Sequence, residues 1–372
     1  AGVDAFAEAA GRAALGLGGA SADLAVVFGG APNLEHVEDG LRVVRDRIGA
    51  EAVIGCGAQG VVGGGHELER GGVAVWAASL PGAEIEPFHV NAVATGSGVG
   101  LTGAPDVLGA DAMLLLADPY SFPVERLLAE VAGEDPELPV VGGLASAGSG
   151  PGHGTLILGG EVLTQGAVGV TLAGVDVRPC VSQGARPIGP EMVVTAAEGT
   201  AILELASRPA LDRLRQAIAE LDPHERSLAA RGLLLGVVID ENKPDYERGD
   251  FLIRGLLDVD EESGALTVGE RVRVGQTVRL QVRDGDSADE DLRDALDTQL
   301  RELPGPPAGA LVFTCNGRGT NMFDAPDHDA HAIDDAFGGA PVAGFFCAGE
   351  IGPVGDRNFL HGFTATLAVF AS

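Results

Sequence analysis

The sequence predicts an α/β protein: two related modules of mixed β-sheets covered by helices, built from repeated strand-helix-strand-strand units. Three observations carry this. Short apolar runs alternate with segments whose apolar residues recur at helical spacing. The order strand, helix, strand, glycine-rich loop, strand recurs along the chain. Hydrophobic residues make up 45% of the 372, enough for a real core, but only 4% are aromatic, so Val, Leu, Ile and Ala must fill it.

The first copy opens with DLAVVF (23–28), followed by Asn33 as an expected helix cap and Leu34, Val37, Leu41, Val44 and Ile48 at helical spacing. AVIG (52–55) leads into CGAQGVVGGG, and GVAVWAASL (72–80) is the third strand. The second copy reads DAMLLLAD (111–118), a helix over 122–132 carrying Val124, Leu127, Leu128 and Val131 on one face, PVVGGLASAG (139–148), and a strand near GAVGVTL (166–172). The third reads GALVFTC (309–315), a short helix over 330–337, PVAGFFCAGEIGP (341–353) and FTATLAVF (363–370). A strand-helix-strand connection of this length favours two parallel strands and a right-handed crossover, and the third strand can return antiparallel.

Between the second and third copies lie strand-like segments over 175–189 and 191–205, then a helix near 207–220. LDPHERSLAARG follows as the expected junction, which divides the chain into modules 1–221 and 222–372. RGLLLGVVID, DFLIRGLLDVD and GQTVRLQVRD read as strands, and a helix over 287–303 begins with Ser287 and Glu290 spaced as a capping box. DVDEESG (258–264) reads as a hairpin tip, because its acidic spacing is wrong for a calcium loop.

With 24 basic against 54 acidic residues the chain carries a formal charge of −30, which repels polyphosphate and anionic lipid and argues against nucleic acid or a membrane surface as partner. The longest uncharged stretch, 139–160, holds eight glycines and suits turns better than a membrane span. The start lacks the pattern of a signal peptide. Cysteines at 56, 180, 315 and 347 form no C-x-x-C pair, so a reducing, cytoplasmic setting is expected.

Where two strands run parallel, the loops leaving their carboxyl ends form the usual ligand crevice. In the third copy those loops are CNGRGTN (315–321) and CAGEIGP (347–353), which place Arg318 and Glu350 at one edge. A guanidinium can hold a carboxylate and a carboxylate an amine, so this pair suits a zwitterion such as an amino acid, or alternatively locks the two loops together. Asn316, Gly319 and His361 complete the expected binding set. Cys315 with His361 as base is the alternative, enzymatic reading, and a protein-interaction scaffold is another. GCGAQG (55–60) matches the dinucleotide fingerprint, but no helical period follows it, so no nucleotide cofactor is expected. DAPDHDAH (324–331) crowds Asp324, Asp327, His328, Asp329 and His331 before a helix. Its spacing matches no defined metal site, an acidic helix N-terminus accounts for it, and no metal is expected. His66, His89 and His153 read as isolated.

The block GALVFTCNGRGTNMF with PVAGFFCAGEIGPVGDRNFLHGFTATLAVF resembles the C-terminal signature of the FIST family, named for F-box and intracellular signal transduction proteins. VGQTVRLQVRDGDSADEDL (274–292) resembles the preceding part of that module. DLAVVF, AVIGCGAQGVVGGG, PVVGGLASAG and GARPIGPEMVVTAAEGTAILEL are similar to its N-terminal module, so the resemblance runs from about residue 21 over nearly the whole chain. It implies a sensory, ligand-binding role in signal transduction, with small ligands such as amino acids. The sequence shows none of the kinase, receptor or F-box segments to which such modules are fused, so a separate signalling protein is the expected partner. The resemblance carries over no catalytic residues.

Overall fold

In all three copies the two apolar runs pair as parallel strands and the third returns antiparallel. Leu24–Gly30 lies parallel to Ala52–Ala58 and antiparallel to Val73–Ala78. Ala112–Ala117 stands in the same relation to Val140–Leu144 and Ala167–Ala173. Pro307–Cys315 does so with Val342–Cys347 and Thr364–Ala371. Helices Val37–Ile48, Val124–Glu134 and His328–Phe337 make the crossovers. The computed structural model describes residues 2–96 and 98–372.

A glycine recurs at one position of this unit. Gly55, Gly142 and Gly344 sit in the second strand of each pair, in register with Val27, Leu115 and Val312. A Cβ at these sites would lie 2.0, 1.8 and 1.8 Å from the carbonyl oxygens of those partners. The parallel pair closes only because the side chain is missing there.

After its second strand each copy forms a hairpin that adds to the sheet of another copy, a feature with no counterpart in the sequence reading. Val61–Gly63 and His66–Leu68 extend the third copy's sheet, through Ala343 opposite Gly63. Leu156–Leu158 and Glu161–Leu163 extend the first copy's, through Leu156 opposite Cys56. Glu350–Val354 and Arg357–His361 extend the second copy's, through Glu350 opposite Gly143. The exchange closes a ring of three sheets. Their inner faces share one core, with Phe28, Ile54, Leu114, Leu116, Phe313 and Phe345 among its residues. Each outer face has its own helical cover, such as Phe6 and Leu41 on the first sheet and Leu127 and Val131 on the second. Burying about 25 cal/mol of stabilisation per Å² on both faces explains why these strands are apolar throughout rather than alternating.

The chain divides into two compact units, Ala1–Val181 with Leu292–Leu360 and Thr364–Ser372, and Ser182–Asp291 with His361–Phe363. The first holds all three copies. The second is an antiparallel sheet in the order Ala185–Glu198, Thr277–Arg283, Leu233–Val238, Phe251–Val259, Leu266–Val268, Ala201–Leu205, Arg208–Pro209. Helices Ala210–Glu220 and Pro223–Arg231 pack on it through Leu211, Leu214 and Leu228. The expected junction at 221/222 therefore falls between two helices of this one unit. It is marked by a capping box in which Asp222 accepts from the Glu225 N–H and Glu225 reaches back to the Asp222 N–H.

Two local expectations are corrected and one helix is added. Asn33 caps no helix: its Oδ1 accepts from the Gly2 N–H and its Nδ2 donates to the Gly72 carbonyl. Helix Gly285–Glu302 starts before Ser287, whose hydroxyl donates to Asp284 at 2.7 Å instead of capping. Val3–Gly16 is a helix that the sequence reading did not identify, and it buries Phe6 and Ala10. The hairpin tip at 258–264 is present, with the Asp260 carboxylate accepting from the Glu262 and Ser263 N–H groups and the Ser263 hydroxyl. Among the described residues no helix is long and apolar enough to cross a membrane.

Candidate functional site

The glycine-rich loops of the three copies meet in the first unit. The Ser146 hydroxyl accepts from the Gln59 N–H and donates to the Phe346 carbonyl, so one side chain from the second copy ties the other two. Backbone bonds run from Ser146 to Gly57, from Phe346 to Gly60, and both ways between residues 144 and 348–349. Such close passage of backbones is what the glycines permit: a Cβ on Gly143 would lie 2.4 Å from Cys347 Sγ.

Arg318 and Glu350 are both fully buried here. Arg318 follows the first strand of the third copy, after a turn in which its N–H reaches the Cys315 carbonyl. Gly319, at φ +58°, carries the chain away into a single 3-10 turn, where a Cβ would lie 2.6 Å from Glu69 Oε1. Arg318 Nε and Nη2 donate to the two oxygens of Asp329 at 2.6 and 2.8 Å, a bidentate pair. The Thr314 hydroxyl adds a third bond to Asp329 at 2.9 Å, and the guanidinium lies over the Phe323 ring at 5.2 Å. Burial opposes ionisation of Asp329, but the Arg318 charge and its hydrogen bonds outweigh burial and hold the carboxyl well below the usual range. Asp329 thus anchors Arg318 to the helix, while the Arg318 charge also acts on Glu350.

Glu350 begins the hairpin strand that pairs with Gly143. Its Oε2 accepts from the Thr364 N–H at 3.1 Å and hydroxyl at 2.9 Å, while Oε1 is buried with no protein hydrogen bond of ordinary geometry. Burial pushes its pKa up to about 8, against the pull of Thr364, the Arg318 charge and the Cys315 thiol. The first of these wins, so the group is mostly protonated near neutral pH. A raised folded-state value means that the native chain holds a proton the unfolded chain has lost between pH 4.5 and about 8. The associated stabilisation is complete below pH 4.5 and is lost as pH rises through about 8. Glu350→Gln should therefore gain on the wild type in melting temperature as pH is raised across this window; parallel pH profiles for the two proteins would contradict the assignment.

Asn316 is half-buried, with its N–H on the Cys347 carbonyl and its Oδ1 buried without a hydrogen-bond partner. Cys315 is buried opposite Cys347 across the parallel pair, and its Sγ accepts from the Gly317 N–H at 3.3 Å. Burial raises the thiol pKa of Cys347 and of Cys56 well above the ordinary value. His361 is buried and falls in the second compact unit, whereas Cys315, Asn316, Arg318, Gly319 and Glu350 fall in the first.

Two acidic residues of this region lie outside the expected binding set. Asp329 belongs to the cluster that reads as an acidic helix N-terminus, yet it is 1% exposed. Glu67, from the exchanged hairpin, is also buried, accepts from the Ala330 N–H at 2.9 Å, and has its pKa raised to about 7 by burial and by Asp329. The usable signal for Asp329 was local: an Arg within eleven positions of an acidic residue at the entrance to a short, otherwise apolar helix face. Nothing in the sequence near Glu67 points to a helix more than two hundred residues away.

Comparison with known proteins bears on the same segments. The model of the FIST N domain matches residues 23–208 and that of the FIST C domain matches 210–353. An uncharacterized protein of Mycobacterium tuberculosis is 50% identical over 368 residues, covering 98% of this chain and 96% of its own length. An uncharacterized protein of Mycobacterium bovis is 47% identical over 365 residues, covering 98% of this chain and 94% of its own.

Proposed function

Because the chain belongs to the FIST family, with both its FIST N and FIST C domains, we propose that it is a cytoplasmic sensory protein that binds a small polar metabolite, an amino acid or a close relative, where the three glycine-rich loops meet. FIST domains are associated with sensory roles in signal transduction. The observation that supports this site is the group of buried polar atoms on the loops of the third copy. Glu350 Oε1 and Asn316 Oδ1 have no protein hydrogen bond of ordinary geometry, and leaving such groups unsatisfied costs about 1–3 kcal/mol each unless a ligand or water meets them.

In this reading Glu350 takes the ligand's amine and Arg318 supplies the positive field for its carboxylate. Asp329 already engages Nε and Nη2 of the guanidinium, so Arg318 acts on the ligand chiefly through its charge. Asn316 offers a further acceptor, and Gly319 lets Glu69 pack against the loop that carries Arg318. His361 belongs to the expected set through its place in the sequence. A separate signalling protein would carry the response onward.

A protonated Glu350 must give up its proton to hold an ammonium group. Calorimetric titration with an amino-acid panel in buffers of different ionisation enthalpy should therefore show proton release for any binder with a free amine. Glu350→Gln should weaken that binder about tenfold or more and abolish the release. Equal affinity in wild type, Glu350→Gln and Asn316→Ala for every binder found would refute the site.

A further inference from the structure

On the outside of the third copy's sheet, His66, Asp327 and His331 come together. His66 opens the hairpin strand His66–Leu68, Asp327 precedes helix His328–Phe337, and His331 lies in that helix. One donor atom from each of the three lies within 4.8 Å of the others. We propose that His66, Asp327 and His331 bind a divalent transition-metal ion, with Zn2+ the ion best suited to two imidazoles and one carboxylate.

The geometry supports this in four ways. First, the His331 N–H donates to the Asp327 carbonyl at 2.9 Å, which fixes Asp327 at the start of the helix that carries His331. Second, His66 Nδ1 lies 3.3 Å from Asp327 Oδ2, close to the ~3.4 Å that separates two donors in a tetrahedral zinc site. The His66 and His331 ring centroids are 6.3 Å apart at 63°, so modest rotation of two exposed side chains completes the set. Third, the Asp327 carboxylate is already oriented: its Oδ1 accepts from the Glu67 N–H at 2.5 Å, the kind of outer contact that fixes a ligating group. Asp327 itself sits at φ +60°, a costly conformation for a residue with a side chain, and it aims the carboxylate at the hairpin. Fourth, Asp334, one further turn along the same face, has a carboxylate oxygen 3.7 Å from where a Cβ on Gly65 would sit, so a second acidic group borders the histidines. The donor set contains no thiolate, which disfavours Cu(I), and two imidazoles disfavour Mg2+ and Ca2+.

His66 therefore is not isolated, and the residues around 324–331 gain from a distant hairpin the third donor that their own spacing does not provide. The ion would clasp that hairpin to the helix. Three protein donors leave at least one coordination position toward solvent.

The test is titration of the metal-free full chain with Zn2+, followed by calorimetry, and with Co2+, followed by its visible absorption. One ion per chain, a four-coordinate Co2+ spectrum and a higher melting temperature with Zn2+ are expected. His66→Ala and His331→Ala should each weaken binding roughly tenfold or more, while His153→Ala, an exposed histidine elsewhere, leaves it unchanged. Both altered histidines are exposed, so metal-free melting should stay at the wild-type value and separate lost ligation from lost folding. No saturable binding by the wild type, or binding by His66→Ala and His331→Ala as tight as that of the wild type, would show that the cluster is a surface ion pair only.

Discussion

Asp329→Asn should destabilise the protein by about 3–5 kcal/mol, because the substitution removes the bidentate counter-charge from the buried guanidinium of Arg318. Arginine does not escape by losing its proton, since its guanidinium stays charged in proteins. Both carboxylate oxygens of Asp329 are engaged by Arg318, and the Thr314 hydroxyl shares one of them. An asparagine keeps the shape but presents an NH2 group to a donor. The double replacement Arg318→Met with Asp329→Leu should cost far less than either half of the pair alone, as removing both charges also removes the desolvation penalty. Urea unfolding at a fixed pH is the measurement, with the midpoint falling at unchanged slope for the single variant. An Asp329→Asn midpoint equal to that of the wild type would mean that the buried pair does not hold the third copy's first strand to its helix.

The second large effect belongs to the glycine shared by the three copies. Gly344→Ala should cost about 4 kcal/mol or more and abolish folding under mild conditions, because its methyl group would lie 1.8 Å from the Val312 carbonyl. The strand cannot move away. Val342–Cys347 is held on one side by Pro307–Cys315 and on the other by the exchanged hairpin Val61–Gly63, so relief of the clash would break one of two ladders. Gly142→Ala meets the same obstacle at Leu115 and should behave alike, whereas Gly338→Ala, at a helix end with open space, is strained only by its φ of +62° and should cost about 1 kcal/mol. Soluble yield and thermal melting of the three variants check this ranking. Near-equal melting temperatures would contradict the close parallel pairing on which the repeat depends.

Much of this architecture was legible in the chain because the repeat is written in residue types. The parallel pairs follow from DLAVVF with AVIG, AMLLLA with VVGG, and ALVFTC with VAGFF, where uninterrupted apolar runs announce burial on both faces. The third strand of each copy appeared at the right place, and it pairs antiparallel as the connection allowed. The hairpin exchange was illegible. Segments such as VVGGGHEL and GTLILGGEVL are short and rich in glycine, and their pairing partner is a strand of another copy, so no local period reveals it. The junction at 221/222 lies close to where the two family matches divide, at 208/210, yet within one compact unit of the structure. Asp222, Pro223 and Glu225 form a strong helix start, which sounds like a boundary in a linear reading but only begins the next helix on the same sheet. In the candidate site, Arg318 and Glu350 stood out as charges in glycine-rich loops, whereas Asp329 was masked by the usual preference of helix starts for acid. Its burial depends on the crossover that lays helix His328–Phe337 against the sheet, through Ile333 and Phe337.

In the proposed function a small molecule meets the polar atoms buried where the loops converge. Native mass spectrometry of the full chain, purified without added ligand and compared with Glu350→Gln, tests this most directly. The expected result is a wild-type peak shifted by one small-molecule mass that is lost on denaturation and missing from the variant. Identical bare masses for the two proteins, unchanged after incubation with cell-extract metabolites, would contradict it.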